Sequence, residues 1–201
     1  MKSIESILIA LSLLMTGCNG IDSENKWNSD SRGQKESYAF RLGDTKKEIQ
    51  ESYKNYARFK KLEKKKLTII DGPADFVWKY GTSQLAFNDA HRFELIFNGN
   101  ELKTIILDVH HVRYNLALAK EKLREKLNMI NAFFKPARKT EEIVAIEMLA
   151  EKIENAKLDR LGVVIGRWQD VEVEVKLILT TIFERENARN RYYIVIQMDQ
   201  Q

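Results

Sequence analysis

The chain has 201 residues, with 33 Lys or Arg against 29 Asp or Glu and a formal net charge of +4. Charges of both signs are interleaved, which argues against the basic stripe of a nucleic-acid binder. The single cysteine excludes a disulfide within the chain, so stability must come from a packed core, for which the length is sufficient.

The first segment reads as a secretory signal. Met1–Ser6 carries one lysine, Lys2, and Ile7–Met15 is an apolar run of nine residues. That is too short for a membrane-spanning helix, which needs about 20 residues, and it suits a signal h-region. Thr16-Gly17-Cys18 follows. Small residues directly before a cysteine resemble the lipobox of bacterial lipoproteins, with Met15 where leucine is usual. The resemblance implies that Cys18 becomes the acylated N-terminus, and that residues 1–17 are removed. Acylation anchors a chain stably when two or more lipid chains are attached. Asn19 rather than Asp after the cysteine implies the outer membrane of a two-membrane bacterium.

Residues 18–37 are polar and rich in turn formers, the composition of a flexible tether. Trp27 is its one large apolar residue, able to touch the body, a partner or lipid headgroups.

Tyr38–Leu42 is predicted as a short strand. Gly43 then allows a turn, and Thr45 and Glu48 have the spacing of a capping box. The helix they open is expected to reach about Phe59 or Leu62, with Ile49, Tyr53 and Tyr56 inward. Lys60, Lys61, Lys64, Lys65 and Lys66 follow; they complement a helix C-terminus and offer a contact to anionic headgroups.

Leu67–Ile70 is expected as a strand, Asp71-Gly72-Pro73 as a turn, and Phe76, Trp78 and Tyr80 as one face of a second strand. Those three aromatics suit a core, and suit a partner contact if their face is open. Gly81–Ala90 is expected as a loop. Arg92–Phe97 and Glu101–Val109 flank Asn98-Gly99-Asn100, a hairpin signal.

In the second half, Leu116, Ala119, Leu123, Leu127, Ile130 and Phe134 recur at helical spacing. Pro136 ends that helix. Thr140 is expected to cap another, Glu141–Leu158, with Ile146, Leu149, Ile153 and Ala156 inward, and Gly162 to close the segment. Strands are predicted over Val163–Trp168, Val171–Glu184 and Arg191–Met198. Val171, Val173, Val175, Leu177 and Leu179 share one face of the second, and Tyr192, Ile194, Ile196 and Met198 one face of the third. The fold class expected is α+β, helices followed by an antiparallel meander, in two units over 38–110 and 111–201.

The stretch from Gly43 to Ile49, Gly-Asp-Thr-Lys-Lys-Glu-Ile, resembles the opening of BamE/SmpA-like lipoproteins and of β-lactamase-inhibitor-protein-like modules. The Trp78–Tyr80 strand and the Phe93–Ile105 hairpin are similar to their sheet. The likeness covers residues 40–107, about a third of the chain. It lacks the Leu-Gly-x-Pro that follows the family's first helix. It implies a binding role rather than catalysis.

Chemistry-bearing groups are sparse. Asp108 and His110 would share a strand face, with His111 and His91 as further candidates, but zinc needs three or four convergent ligands. No Gly-rich phosphate loop and no nucleophile elbow occurs. The expectation is a non-enzymatic periplasmic lipoprotein without cofactor or metal, binding another envelope protein as an accessory module. The alternative is an inhibitor or immunity lipoprotein that neutralises a toxin or hydrolase.

Overall fold

Alternation of apolar and polar residues dominates the second half of the chain, and it builds sheet there as elsewhere. A computed structural model describes residues 37–54, 67–134, 139–142, 145–156, 160–186 and 188–201. The elements are β1 (Ser37–Phe40), α1 (Lys46–Tyr53), β2 (Leu67–Tyr80), β3 (Ser83–Asn98), β4 (Glu101–Arg113) and α2 (Leu116–Phe133). They continue as β5 (Lys139–Glu142), a 3-10 turn (Ile146–Met148), α3 (Leu149–Ala156), β6 (Arg160–Gln169), β7 (Val173–Glu184) and β8 (Arg189–Gln200). Lys35–Gln201 forms one compact unit.

All eight strands join one sheet in the order β1-β2-β3-β4-β8-β7-β6-β5. Two meanders, β2-β3-β4 and β6-β7-β8, meet edge to edge where β4 pairs antiparallel with β8. Only β1, parallel to β2, departs from the antiparallel pattern. The described residues thus form a mixed α/β fold with three helices and a mostly antiparallel sheet. Helices do not simply precede each meander, because the short strand β1 comes before α1 and the short strand β5 falls between α2 and α3.

Thr45 caps α1 as its spacing predicts: its hydroxyl accepts from the Glu48 amide, and the Glu48 carboxylate accepts from the Thr45 amide at 2.8 Å. Ile49 and Tyr53 face the core. The Tyr53 hydroxyl accepts from Ala39 N–H and donates to Ala39 C=O, both at 2.7 Å, tying the helix to β1. Tyr56 and Phe59 lie outside the described residues.

Four sequence expectations are corrected. Asp71-Gly72-Pro73 is not a turn between strands: β2 runs on through register shifts at Asp71/Ala74 and Ala74/Phe76. A proline is tolerated at such a bulge because it owes the ladder no N–H, and β1 pairs β2 only from Asp75 to Trp78. Of the expected loop Gly81–Ala90 only Gly81-Thr82 turns; Ser83–Ala90 is the first half of β3, paired with β2 from Ser83↔Tyr80 onward. Thr140 does not cap a helix: Lys139–Glu142 pairs with β6, Thr140 opposite Trp168, and α3 starts only at Leu149. Gly162, expected to end the segment before the strands, lies inside β6.

One contiguous core fills the face on which the helices pack. Tyr38, Phe40, Phe76 and Phe93 cluster with Tyr53, with ring centroids 5.0 Å apart for Tyr38–Phe93 and 5.6 Å for Phe76–Phe93. Ala119, Leu123 and Ile130 of α2 and Phe134 just after it join the same core, with Leu116 and Leu127 at its margin. Gly166 lets α2 approach: a Cβ there would meet the Trp168 ring at 2.8 Å and Leu127 at 3.3 Å. Tyr80 donates a hydrogen bond to Asp170, in the β6–β7 connection. In the sheet β2 and β7 are separated by β3, β4 and β8. The β2–β3 hairpin must therefore bend over the core and close it.

Candidate functional site

With the helices on one face, the other face of the sheet is left to the strands alone among the described residues. Its rows follow from the register. One runs Glu94–Ile106–Gln197–Lys176–Arg167, and the next Arg92–Asp108–Val195–Ile178–Val164. Ile106, Val195 and Ile178 are buried at its centre, outside the main core. Around them the polar groups are paired.

Lys176 is the hub. Its ammonium lies 2.7 Å from Glu174 and 3.0 Å from Asp199. Arg167 holds the other oxygen of Glu174 at 3.0 Å. Asp199 also accepts from Thr104 at 2.9 Å and from Gln197 at 2.8 Å. Arg92 covers Glu94 at 2.9 Å, with the carboxylate fully buried and the arginine partly exposed. Of the carboxylates only Glu94 lies deep; Glu174 and Asp199 are exposed to about the same extent as Arg92 and Arg167, so the face presents paired acidic and basic groups together. Bidentate, weakly hydrated arginines are frequent at protein interfaces.

A correction to the histidine reading comes from the same face. The β4–β8 register shifts between Asp108 and His110. That bulge places Asp108 and His111, not His110, together: His111 Nε2 is 2.6 Å from Asp108 Oδ2. A carboxylate only accepts, so Nε2 carries the proton. His91 stacks on His111 at 4.4 Å and Tyr193 meets it edge-on at 4.6 Å. Among the described residues no hydroxyl or thiol hydrogen-bonds His111, and no three His, Cys, Asp or Glu side chains converge as a metal site.

His110 turns to the α2 side. Burial, then the charges of Lys122, His91 and Lys126, push its pKa below 6.5, with Glu125 opposing. The unfolded chain therefore takes up the proton first. The His110 contribution to stability is complete above about pH 6.5 and is lost as pH falls below it. We expect His110→Gln to lose less stability than the parent between about pH 7 and about pH 5, measured by urea unfolding at each pH.

A small pocket of about 180 Å³ opens at the tip of the β2–β3 hairpin, lined by Leu42, Trp78, Tyr80 and Val173 with Arg41, Lys79 and Glu172. It is below the roughly 300–1,000 Å³ of ordinary small-molecule sites.

Of the residues singled out from sequence, Phe76 and Trp78 are 0% exposed and belong to the core, and Tyr80 is half-buried beside them. The face they share is therefore the covered one. Cys18, Trp27, Lys60, Lys61, Lys64, Lys65 and Lys66 lie outside the described residues. The ion network around Lys176 was missed. Its signal was present in Glu172, Glu174 and Lys176 alternating with valines, but only the register brings Asp199 and Arg167 to them.

The arrangement defines a class: an α/β protein whose sheet has one face covered by helices and, among the described residues, a second face of ion-paired side chains around a small apolar centre. No known protein family, no curated protein and no solved structure matches the chain. No helix among the described residues is long and apolar enough to cross a membrane.

Proposed function

We propose that this chain is a lipoprotein of the bacterial envelope, anchored through Cys18 at the periplasmic face of the outer membrane. Its body is a non-enzymatic module that binds another envelope protein. The observation that carries the reading is the sheet face away from the described helices, on which Arg92, Lys176 and Arg167 are ion-paired with Glu94, Glu174 and Asp199. A rigid, pre-ordered surface of this kind loses little entropy on association. The signal-like segment before Cys18 supports the anchor. The resemblance of residues 40–107 to BamE/SmpA-like modules, carried by Gly43–Ile49 and the Phe93–Ile105 hairpin, supports a binding role. Strand order, mirrored about β4 and β8, supports two units in tandem.

A photo-cross-linking residue placed at Thr104 or His111 is expected to capture the partner in the native envelope. One at Glu121, on the exposed side of α2, is not. Recovery of a resident assembly identifies an accessory module, whereas a single foreign effector identifies an inhibitor. Capture from Glu121 alone, or from none of the three, sinks the assignment of the face. The anchor is tested separately. Cys18→Ser is expected to abolish palmitate labelling and membrane fractionation, and labelling that persists removes the lipoprotein reading.

A further inference from the structure

The end of the sheet formed by the C-terminus of β4 and the β7–β8 turn combines two features that are costly unless used. The first is like charge. Arg113 and Arg191 are directly opposed in the β4–β8 register, and Arg189 is two residues from Arg191. Like charges across a strand pair repel. Glu184 is the carboxylate that contacts Arg191 there, and it also accepts from the Tyr114 hydroxyl. Glu186 is exposed in the adjoining turn.

The second feature is exposed apolar surface. Tyr114 is 37% exposed, Leu118 37% and Phe183 38%. They are neighbours: Tyr114 N–H donates to Asn190 C=O, Asn190 pairs with Phe183, and Leu118 N–H donates to the Asn115 side chain next to Tyr114. Tyr114 has φ of 59°, a backbone that a bulky residue adopts only where its surroundings impose it. The Arg189 guanidinium lies 5.5 Å over its ring.

We propose that this end of the sheet docks on an anionic bilayer surface, with Tyr114, Leu118 and Phe183 entering the interface and Arg113, Arg189 and Arg191 meeting lipid phosphates. The shape favours lipid over an acidic protein. The patch is made of a hairpin turn and a strand–helix junction at one end of the sheet. It gathers aromatic and cationic groups at that end of the sheet, as interfacial anchors do. A body tethered at Cys18 would be held near such a surface, and to that extent the inference leans on the lipoprotein reading.

The test removes that dependence. The full chain carrying Cys18→Ser is labelled with an environment-sensitive dye at Phe183→Cys. The control carries the dye at Val171→Cys, at the other end of β7. Each is titrated with vesicles of phosphatidylcholine alone, and of phosphatidylcholine with phosphatidylglycerol. The expected result is a blue shift at position 183 on anionic vesicles only, reversed by salt, with none at position 171. Arg113→Gln and Arg189→Gln are each expected to weaken that binding about five-fold, the equivalent of about 1 kcal/mol. Lys79→Gln, of equal charge change, is expected to leave it unaltered. Equal shifts at both positions, equal shifts on neutral vesicles, or arginine variants that bind as the parent overturn the proposal. So does a shift with polyglutamate but none with vesicles, which assigns the patch to an acidic protein.

Discussion

Trp78→Ala is expected to lower the unfolding free energy by about 3–5 kcal/mol, the range for a fully buried aromatic cut to a methyl group. Trp78 is 0% exposed and stands where the bent β2–β3 hairpin closes the core. Its ring meets Tyr80 at 5.4 Å, Phe133 at 5.6 Å and Phe134 at 6.0 Å. From outside, the hairpin is held by long-range bonds such as Tyr80 to Asp170. Removing the indole therefore leaves a cavity between hairpin and helix that the two cannot close without breaking register. In a body of this size the loss corresponds to about 10 °C in Tm, and urea unfolding with calorimetry measures both. Trp78→Phe is a sharper companion. The Trp78 Nε1 is buried with no acceptor among the described residues, and a buried unpaired donor costs about 1–3 kcal/mol. Phenylalanine removes that penalty while leaving a smaller gap, so it is expected to cost under about 1.5 kcal/mol. A phenylalanine variant as unstable as the alanine one would show that the N–H is satisfied.

Lys176→Ala is the second large effect, expected at about 2–3 kcal/mol. The Lys176 side chain is 6% exposed and neutralises Glu174 and Asp199 together. Deleting it leaves two nearby, partly buried carboxylates without their shared cation. The cost stays below the roughly 3–5 kcal/mol of an isolated broken pair, because Arg167 still holds Glu174 while Thr104 and Gln197 still hold Asp199. Replacing all three together, as Lys176→Met with Glu174→Gln and Asp199→Asn, is expected to recover most of the loss. Urea unfolding of the single, double and triple variants gives the coupling. If the single variant is as stable as the parent, the network does not order this face, and the surface proposed for a partner is not rigid.

Legibility of the site followed the same divide. Alternation in Val171–Leu179 and Tyr192–Met198 separated an apolar from a charged face, and Val173, Val175, Leu177, Leu179, Tyr192, Ile194, Ile196 and Met198 are all buried. Val171 alone broke the pattern: it is 88% exposed, because the chain turns at Asp170–Val173 before β7 begins. Which charged residues meet across that second face depends on pairing between β4, β8, β7 and β6, contacts between residues as far apart as Thr104 and Asp199.

Local sequence by itself determined what short-range chemistry can impose. The Thr45–Glu48 box started a helix, Asn98-Gly99 turned a hairpin with Gly99 at φ of 63°, and the 3.6-residue spacing of Leu116 to Phe134 made α2. Each depends on hydrogen bonds or torsions within a few residues. Only the tertiary structure decided the rest. A bulge after Asp108 gave His111 rather than His110 the carboxylate. Cross-strand pairing drew Asp71–Pro73, Ser83–Ala90 and Lys139–Glu142 into strands against their turn, loop and helix signals. The edge union of β4 with β8 made one sheet of two meanders. Such choices are settled by ladder hydrogen bonds and core burial between distant segments, energies that exceed local propensity and are not written in any one stretch of the chain.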